Sequence, residues 1–314
     1  MKSLDVIVPC YNEEAVIENT YWRLKKVLTS ISDTVDANIT FINDGSSDGT
    51  LLILSGIAEK DKDVRIINFS RNFGHQSAVT AGINNCTADV AIIIDADLQD
   101  PPELIPDMIR VCEEEKANVV YCVRKKREGE SRFKKASAKV FYRFLNRLSE
   151  VPFPADTGDF RLIDAAVIRE FNALKEKGKY IRGLISWIGF KQVPYYYERH
   201  ARFAGETKYP LSKMIKFAST ALLYFSKKPL LMVMGLGFLS VLIGILLALW
   251  YAFGKLFGYT NAESGFTSIM IIVIFFGGVQ MLTIGVLGQY IGVLFDEVKG
   301  RPEYIIGEKV NFKE

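Results

Sequence analysis

Val90-Ala91-Ile92-Ile93-Ile94-Asp95-Ala96-Asp97-Leu98-Gln99-Asp100-Pro101-Pro102-Glu103 is the stretch that decides the fold. The unbroken apolar run Val90 to Ile94 predicts a buried strand of a parallel sheet. Asp95 and Asp97 then stand where that strand ends, and in open α/β sheets ligands bind at the carboxyl ends of strands. Two acids so placed repel each other unless a cation neutralises them. With no His or Cys within the stretch, hard oxygen donors suit Mg²⁺ or Mn²⁺, and Mg²⁺ usually brings substrate phosphates with it. A nucleotide-diphosphate site is the expectation; a solvated acidic loop is the plainer alternative for a bare Asp-x-Asp.

The neighbouring sequence extends this pattern in both directions. Leu4 to Val8, Ile39 to Ile42, Val64 to Phe69 and Val119 to Val123 are further apolar strand candidates. Helical segments fall between them at Glu13 to Leu28, after the Asn43-to-Thr50 turn as far as Ala58, at Gln76 to Asn84 and at Pro102 to Glu113. Strands alternating with helices predict an α/β domain: a parallel sheet covered by helices on both faces.

The 49% hydrophobic content of these 314 residues is unevenly spread. Residues 229–254 and 266–295 are runs of 26 and 30 residues without a charge. A bilayer core needs roughly 20 apolar residues per helix, so both are expected to span a membrane. Met1 to Cys10 lacks the long apolar region of a signal peptide, and Asp5 interrupts it, so the N-terminal domain is expected to be cytosolic. Lys227 and Lys228 precede the first run, and Lys299 and Arg301 follow the second. The loop between carries only Lys255 and Glu263, which places both termini in the cytoplasm by the positive-inside rule. The expected division is a cytosolic α/β domain at 1–209, an interfacial helix at 210–228, a membrane domain at 229–297 and a cytosolic tail at 298–314.

Residues 124–147 hold ten basic and two acidic side chains, which favours an anionic membrane surface. Lys135, Lys139, Arg143 and Arg147 make one stripe and Phe141, Phe144, Leu145 and Leu148 another, so this segment and the helix from Pro210 are expected to lie in the membrane interface. Ordinary amphipathic packing on the domain is the alternative. Cys10, Cys86, Cys112 and Cys122 form no C-x-x-C pair and are expected to be reduced thiols. The net charge of +3 is uninformative by itself, and no nucleic-acid partner is expected.

Several motifs in order resemble glycosyltransferase family two. They are Val6-Ile7-Val8-Pro9-Cys10-Tyr11-Asn12-Glu13-Glu14, Asn43-Asp44-Gly45-Ser46-Ser47-Asp48-Gly49-Thr50 and the Asp95-to-Glu103 stretch. Asp156-Thr157-Gly158-Asp159-Phe160-Arg161-Leu162, Arg202 with Gly205-Glu206-Thr207-Lys208-Tyr209, and Gly288-Gln289-Tyr290 with Asp296-Glu297-Val298-Lys299-Gly300-Arg301-Pro302 resemble its polyprenyl-phosphate branch. That branch includes dolichol-phosphate mannose synthase relatives and bacterial bactoprenol glucosyltransferases. The resemblance covers nearly the whole chain.

It implies a GT-A (Rossmann-like) fold and a membrane-bound, inverting, metal-dependent sugar transfer from a nucleotide diphosphate to polyprenyl (undecaprenyl) phosphate. By the same resemblance Pro9, Tyr11, Glu13, Asp44, Asp95 and Ala96 hold the nucleotide, while Asp97 and Gln99 hold Mg²⁺ or Mn²⁺. Arg124, Arg132, Arg202 and Lys208 are the candidates for the acceptor phosphate, to which Arg offers bidentate contacts. Asp159 is placed on the acceptor side as catalytic base. Because a phosphate monoester's second pKa is about 6, orienting the acceptor or the sugar is the other role open to it. His75 is expected to cap or pack at a helix start.

The resemblance favours UDP-glucose, yet no motif distinguishes it from GDP-mannose or UDP-N-acetylglucosamine. A processive synthase is disfavoured because no Gln-x-x-Arg-Trp occurs, and a non-enzymatic membrane adaptor is disfavoured by the intact acidic motifs. Gly288 and Gly292, with Gly277, Gly278 and Gly285 upstream, allow close helix packing, either between the two spans or between subunits of a homo-oligomer.

Overall fold

A computed structural model describes residues 2–124, 157–177, 179–198, 228–257 and 265–312. The chain divides into two compact units: one is built on a sheet and includes the tail from Arg301, and the other contains the C-terminal helices.

The first unit begins β1 (Lys2–Cys10), α1 (Ile17–Ser30), β2 (Val35–Asn43), α2 (Thr50–Lys60), β3 (Val64–Phe69), α3 (His75–Asn84), β4 (Val90–Ile93). A short 3₁₀ turn at Pro102–Leu104 leads into α4 (Ile105–Glu114), where prolines in the first turn cost no hydrogen bond. β5 (Val119–Arg124) follows, then β6 (Thr157–Asp164), α5 (Ala165–Ala173), α6 (Ile181–Ile188) and β7 (Gln192–Tyr197). α7 (Lys228–Leu256) and α8 (Phe266–Val298) belong to the second unit, and β8 (Ile306–Val310) returns to the first.

The eight strands form one sheet in the order β7-β5-β6-β4-β1-β2-β3-β8. β1 pairs in parallel with both β2 and β4, so the chain reverses its direction of winding at β1. The crevice at that switch point is where an open α/β sheet takes its ligand. The expected all-parallel sheet needs correction. β6 is antiparallel to both β4 and β5, and β8 is antiparallel to β3. The segment carrying Asp159 is therefore an inner strand.

Alternation along β1 explains the two covered faces. Leu4, Val6 and Val8 join Leu24, Leu54, Ile105 and Met108 in one core. Ile7 faces the other way onto α3, where a Cβ at Gly82 would lie 2.3 Å from Ile7 Cγ2. Asp5 shares this second face and is buried; it accepts from Thr40 Oγ1 at 2.7 Å, and Arg65 Nη1 lies 3.8 Å away.

The tail is an ordered part of the first unit. Tyr304 stacks on Phe69 at 5.1 Å and accepts from Asn84 Nδ2 at 2.9 Å. Asn311 Nδ2 donates to the carbonyls of Ala58 and Val64, each at 2.8 Å. β8 thus covers the β3 edge, whose unpaired groups would otherwise template aggregation.

In the second unit, α7 and α8 are each long and apolar enough to cross a membrane. The apolar windows Leu230–Leu247 and Ile272–Val298 have mean hydropathies of 2.7 and 1.8, and only 6% and 0% of their residues are buried. Helices buried in a soluble core would not expose this surface. Gly244 on α7 approaches Phe276 on α8, whereas a Cβ at Gly277, Gly278, Gly285, Gly288 or Gly292 would meet nothing within 4 Å among the described residues. The expected interfacial segments at 124–147 (beyond Arg124) and 210–228 (before Lys228) lie outside the described residues.

Candidate active site

The ends of β1, β2 and β4, the strand β6 and the first turns of α3 and α6 build the site. β1 ends in Pro9 and Cys10, both buried, and leads to exposed Tyr11. Asn12 adopts φ 55°, a left-handed conformation held by its neighbours: its N–H donates to Ser46 Oγ at 3.0 Å, and its Oδ1 accepts from Ser47 N at 2.9 Å. Glu13 N donates to Thr50 Oγ1 at 2.9 Å, and Glu14 Oε2 accepts from Gly49 N at 2.9 Å. The first two strand-end loops are thus laced into one surface.

Asp44 is buried beneath that surface. Its Oδ1 accepts from Phe73 N at 2.7 Å, and its Oδ2 accepts from Gly74 N and Asn72 Nδ2 at 2.9 and 3.0 Å. These bonds aim the loop that ends in His75, the first residue of α3. Gly45 has φ 65°, and a Cβ there would lie 2.4 Å from the Arg71 carbonyl carbon, so only glycine fits.

β4 delivers the central acids. Leu98 has φ 56°, and the turn around it is closed by Gln99 N donating to Asp97 Oδ1 at 3.1 Å. Thr20 Oγ1 of α1 donates to the Ala96 carbonyl at 2.8 Å, anchoring the turn from below. Among the described residues, no donor reaches the buried atoms Asp95 Oδ1 and Gln99 Oε1 within hydrogen-bonding distance. Orphaned buried acceptors are costly, so they point to a group that binds there. Burial, with the carboxylates of Asp159, Asp100 and Asp97, outweighs the pull of His75 and pushes Asp95 up. Accumulated negative charge and bare oxygen donors fit a hard divalent cation.

Asp159 enters from β6 and is buried. Arg182 of α6 grips it with two prongs, Nε to Oδ1 at 2.6 Å and Nη2 to Oδ2 at 3.1 Å. Arg182 Nη1 also donates to the Thr157 carbonyl at 2.9 Å. His75 Nε2 lies 3.1 Å from Asp159 Oδ2 and 3.7 Å from Asp95 Oδ1. Burial would raise Asp159, but the charge of Arg182 and the hydrogen bonds from His75 and Arg182 hold it well below the usual carboxylate range. Burial lowers His75, but the Asp159 bond and the Asp95 charge prevail and raise it to about 9. His75, Asp95 and Asp159 each offer a ligand atom, all within 4.8 Å of one another, so this group could also hold a divalent metal once His75 lost its proton.

The structure therefore gathers Asp95, Ala96, Asp97, Gln99 and Asp159 around the end of β4, with Pro9, Tyr11, Glu13 and Asp44 on the two strand-end loops beside β1. Arg124 closes β5. Arg132, Arg202 and Lys208 lie outside the described residues. From sequence Arg182 has no expected site role, and His75 is expected only to cap or pack at a helix start; its side chain instead meets Asp159 and Asp95. The nearest sequence signal is the placement of His75 immediately after a glycine at a helix start.

Residues 5–171 match the profile of Glycosyl transferase family 2. The chain belongs to that family and is a glycosyltransferase. It is 46% identical over 301 residues to the uncharacterized glycosyltransferase YkcC of Bacillus subtilis, with 96% of this chain and 92% of that protein covered. It is 35% identical over 303 residues to the prophage bactoprenol glucosyl transferase homolog of Escherichia coli, covering 96% of this chain and 98% of the other. The bactoprenol glucosyl transferase of Shigella phage SfII is likewise 35% identical over 303 residues, covering 96% and 97%.

Proposed function

We propose that this chain transfers glucose from UDP-glucose to a polyprenyl phosphate, with inversion at the anomeric carbon, on the cytosolic side of a membrane crossed by α7 and α8. One observation carries the acceptor. The likeness to bactoprenol glucosyl transferases extends over 96% of this chain, and so through both long apolar helices as well as the sheet.

On this reading Pro9, Tyr11 and Glu13 receive the nucleoside, and Asp44 contributes by fixing the loop beside it. Asp95 and Ala96 lie at the diphosphate end. Asp97 and Gln99, with Asp95, are the residues that would hold Mg²⁺ or Mn²⁺, which when bound offsets the diphosphate charge and improves the leaving group. An acceptor phosphate oxygen forms the new bond to the anomeric carbon as the bond to the diphosphate oxygen breaks. The acceptor is largely ionised at neutral pH because its second pKa is about 6. Asp159, neutralised by Arg182 and His75, suits orientation better than proton removal. Arg124, Arg132, Arg202 and Lys208 supply cations for the acceptor phosphate.

The tail supports the topology. Residues from Arg301 onward belong to the same unit as β1, so the intervening chain crosses a membrane an even number of times. Both ends of the chain then lie on one side, which on this reading is the cytoplasm. The open glycine face of α8 is the candidate contact for a homo-oligomer.

The test is label transfer in membranes containing the protein, with polyprenyl phosphate, Mg²⁺ or Mn²⁺ and a panel of labelled nucleotide sugars. UDP-glucose should label organic-extractable lipid, and Asp97→Asn should abolish labelling. Labelling from GDP-mannose or UDP-N-acetylglucosamine instead would replace the sugar. Nucleotide binding without labelling from any donor would favour a non-enzymatic adaptor.

A further inference from the structure

Arg124 ends β5, and its register partner Tyr197 ends β7 on the neighbouring parallel strand. The two side chains are joined: Arg124 Nε donates to the Tyr197 hydroxyl oxygen at 3.3 Å. The same hydroxyl donates to Asp100 Oδ1 through a short hydrogen bond. Burial and the neighbouring Asp100 raise the Tyr197 phenol above its ordinary value, so the hydroxyl keeps the proton it donates. Its oxygen lone pairs are thereby turned toward Arg124.

Asp100 is fully buried, three residues beyond Asp97 in the same turn. A buried carboxylate is costly unless it is paired. Arg124 Nη2 lies 3.8 Å from Asp100 Oδ2, close enough for charge attraction and too far for a hydrogen bond. Packing completes the arrangement. A Cβ at Gly158 would lie 2.8 Å from Arg124 Nη2, so the guanidinium rests on the residue before Asp159. The Tyr197 ring is set by an edge contact with buried Phe160, at 6.2 Å and 85°. The Arg124 side chain nevertheless keeps 21% of its surface exposed.

We infer that Asp100 and Tyr197 are positioning residues that aim the Arg124 guanidinium at the acceptor phosphate. The inference rests on the acceptor reading above and adds to it. Guanidinium is planar, so fixing Nε fixes the plane of the whole fork. The hydrogen-bond chain runs from the donor-site turn through Tyr197 to Arg124, so the same turn that carries Asp97 also sets the acceptor cation.

The test uses the full-length enzyme in membranes, with KM measured separately for UDP-glucose and for polyprenyl phosphate. Tyr197→Phe keeps the ring and removes the bridging hydroxyl. It should raise the polyprenyl-phosphate KM about tenfold, the scale of one lost hydrogen bond to a charged group, and leave the UDP-glucose KM within about twofold. In an Arg124→Lys background, which removes the fork, Tyr197→Phe should add nothing to the acceptor KM. A purely structural role would add its cost in both backgrounds. If Tyr197→Phe moves both KM values alike, leaves the acceptor KM unchanged, or adds fully to Arg124→Lys, the positioning role is wrong while the acceptor reading stands. If the unsubstituted enzyme labels no polyprenyl phosphate, both fall, since Arg124 would have no acceptor to hold.

Discussion

Removing Arg182 tests whether Asp159 is a paired carboxylate or a waiting base. Arg182→Met keeps the bulk of the side chain and deletes both prongs on Asp159, at 2.6 and 3.1 Å, together with the bond to the Thr157 carbonyl. The Asp159 side chain is only 8% exposed, so its charge would be left buried without its bidentate partner, with His75 and the nearby Arg161 as the cations that remain. Breaking one partner of a buried pair costs about 3–5 kcal/mol. For a unit of this size that lowers the thermal midpoint on the order of 10 °C. Asp159→Asn in the same chain removes the stranded charge and should restore most of the loss, so a double-mutant cycle should report roughly 2 kcal/mol or more of coupling. The pH sign follows from the lowered Asp159 value. Its stability is present above the ordinary carboxylate range and is lost only as pH falls through the lowered folded value, so Arg182→Met should move the acid edge of the melting profile to higher pH. The assay is thermal unfolding in detergent across pH, read on all four members of the cycle. A cost of less than about 1 kcal/mol for Arg182→Met, or an additive cycle, would refute the pairing and return Asp159 to the role of free base.

Three further outcomes are expected. Burial raises Asp5 from 3.8 to about 6, against the pull of Thr40 and Arg65, so its contribution is intact at low pH and declines as pH rises through 3.8 to 6; relative to Asp5→Asn, the wild type should lose about 3 kcal/mol between pH 3 and pH 8, and a pH-independent difference would disprove that burial. Asp44→Ala should strip three donors of their acceptor and release the His75 loop, lowering kcat by more than it raises the nucleotide KM; a pure KM effect in initial-rate kinetics would instead mark a direct ribose contact. Gly45→Ala must place a methyl 2.4 Å from Arg71 backbone at φ 65° and should cost about 3 kcal/mol or more, whereas an unchanged melting midpoint would show that the loop relaxes freely.

Local sequence pattern was enough to recover the first half of the sheet. Val64 to Phe69 coincides with β3, and the strand candidates around β1, β2, β4 and β5 fall within the observed strands except at Ile94. Apolar runs between turn residues are local signals, and these strands follow them. β2 extends back to Val35 because pairing with β1 continues through polar Asp36 and Asn38, which no apolar run marks. β6 carries no unbroken apolar run: polar Thr157, Asp159 and Arg161 alternate with Gly158, Phe160 and Leu162, so its motif is visible in sequence while the strand is not. Its antiparallel pairing depends on partners 34 and more residues away, which a local window does not contain. β8 is short and carries Glu308 and Lys309, so it resembles a tail; only the open edge of β3 makes it a strand.

The same limit explains which site residues were legible. Acids at strand ends are visible in sequence, but the sequence does not say which of them are already spent. Asp44 accepts from the loop before α3, Asp48 from Thr50 and from Glu14 of the first loop, and Asp100 from Tyr197. Asp159 gives both of its oxygens to Arg182. Asp95 and Gln99 each keep a buried oxygen that no described donor satisfies. Among the described residues, Asp5 Oδ2 and Thr80 Oγ1 are buried and unsatisfied as well, so an orphan atom alone does not mark a ligand site; at Asp95 and Gln99 it coincides with the strand-end turn that carries Asp97. His75 and Arg182 stayed hidden for the converse reason. Both pair with Asp159, 84 and 23 residues away in the chain, and they meet it only when β6 inserts beside β4. The antiparallel strand that breaks the expected parallel sheet is therefore what assembles the charged centre of the site.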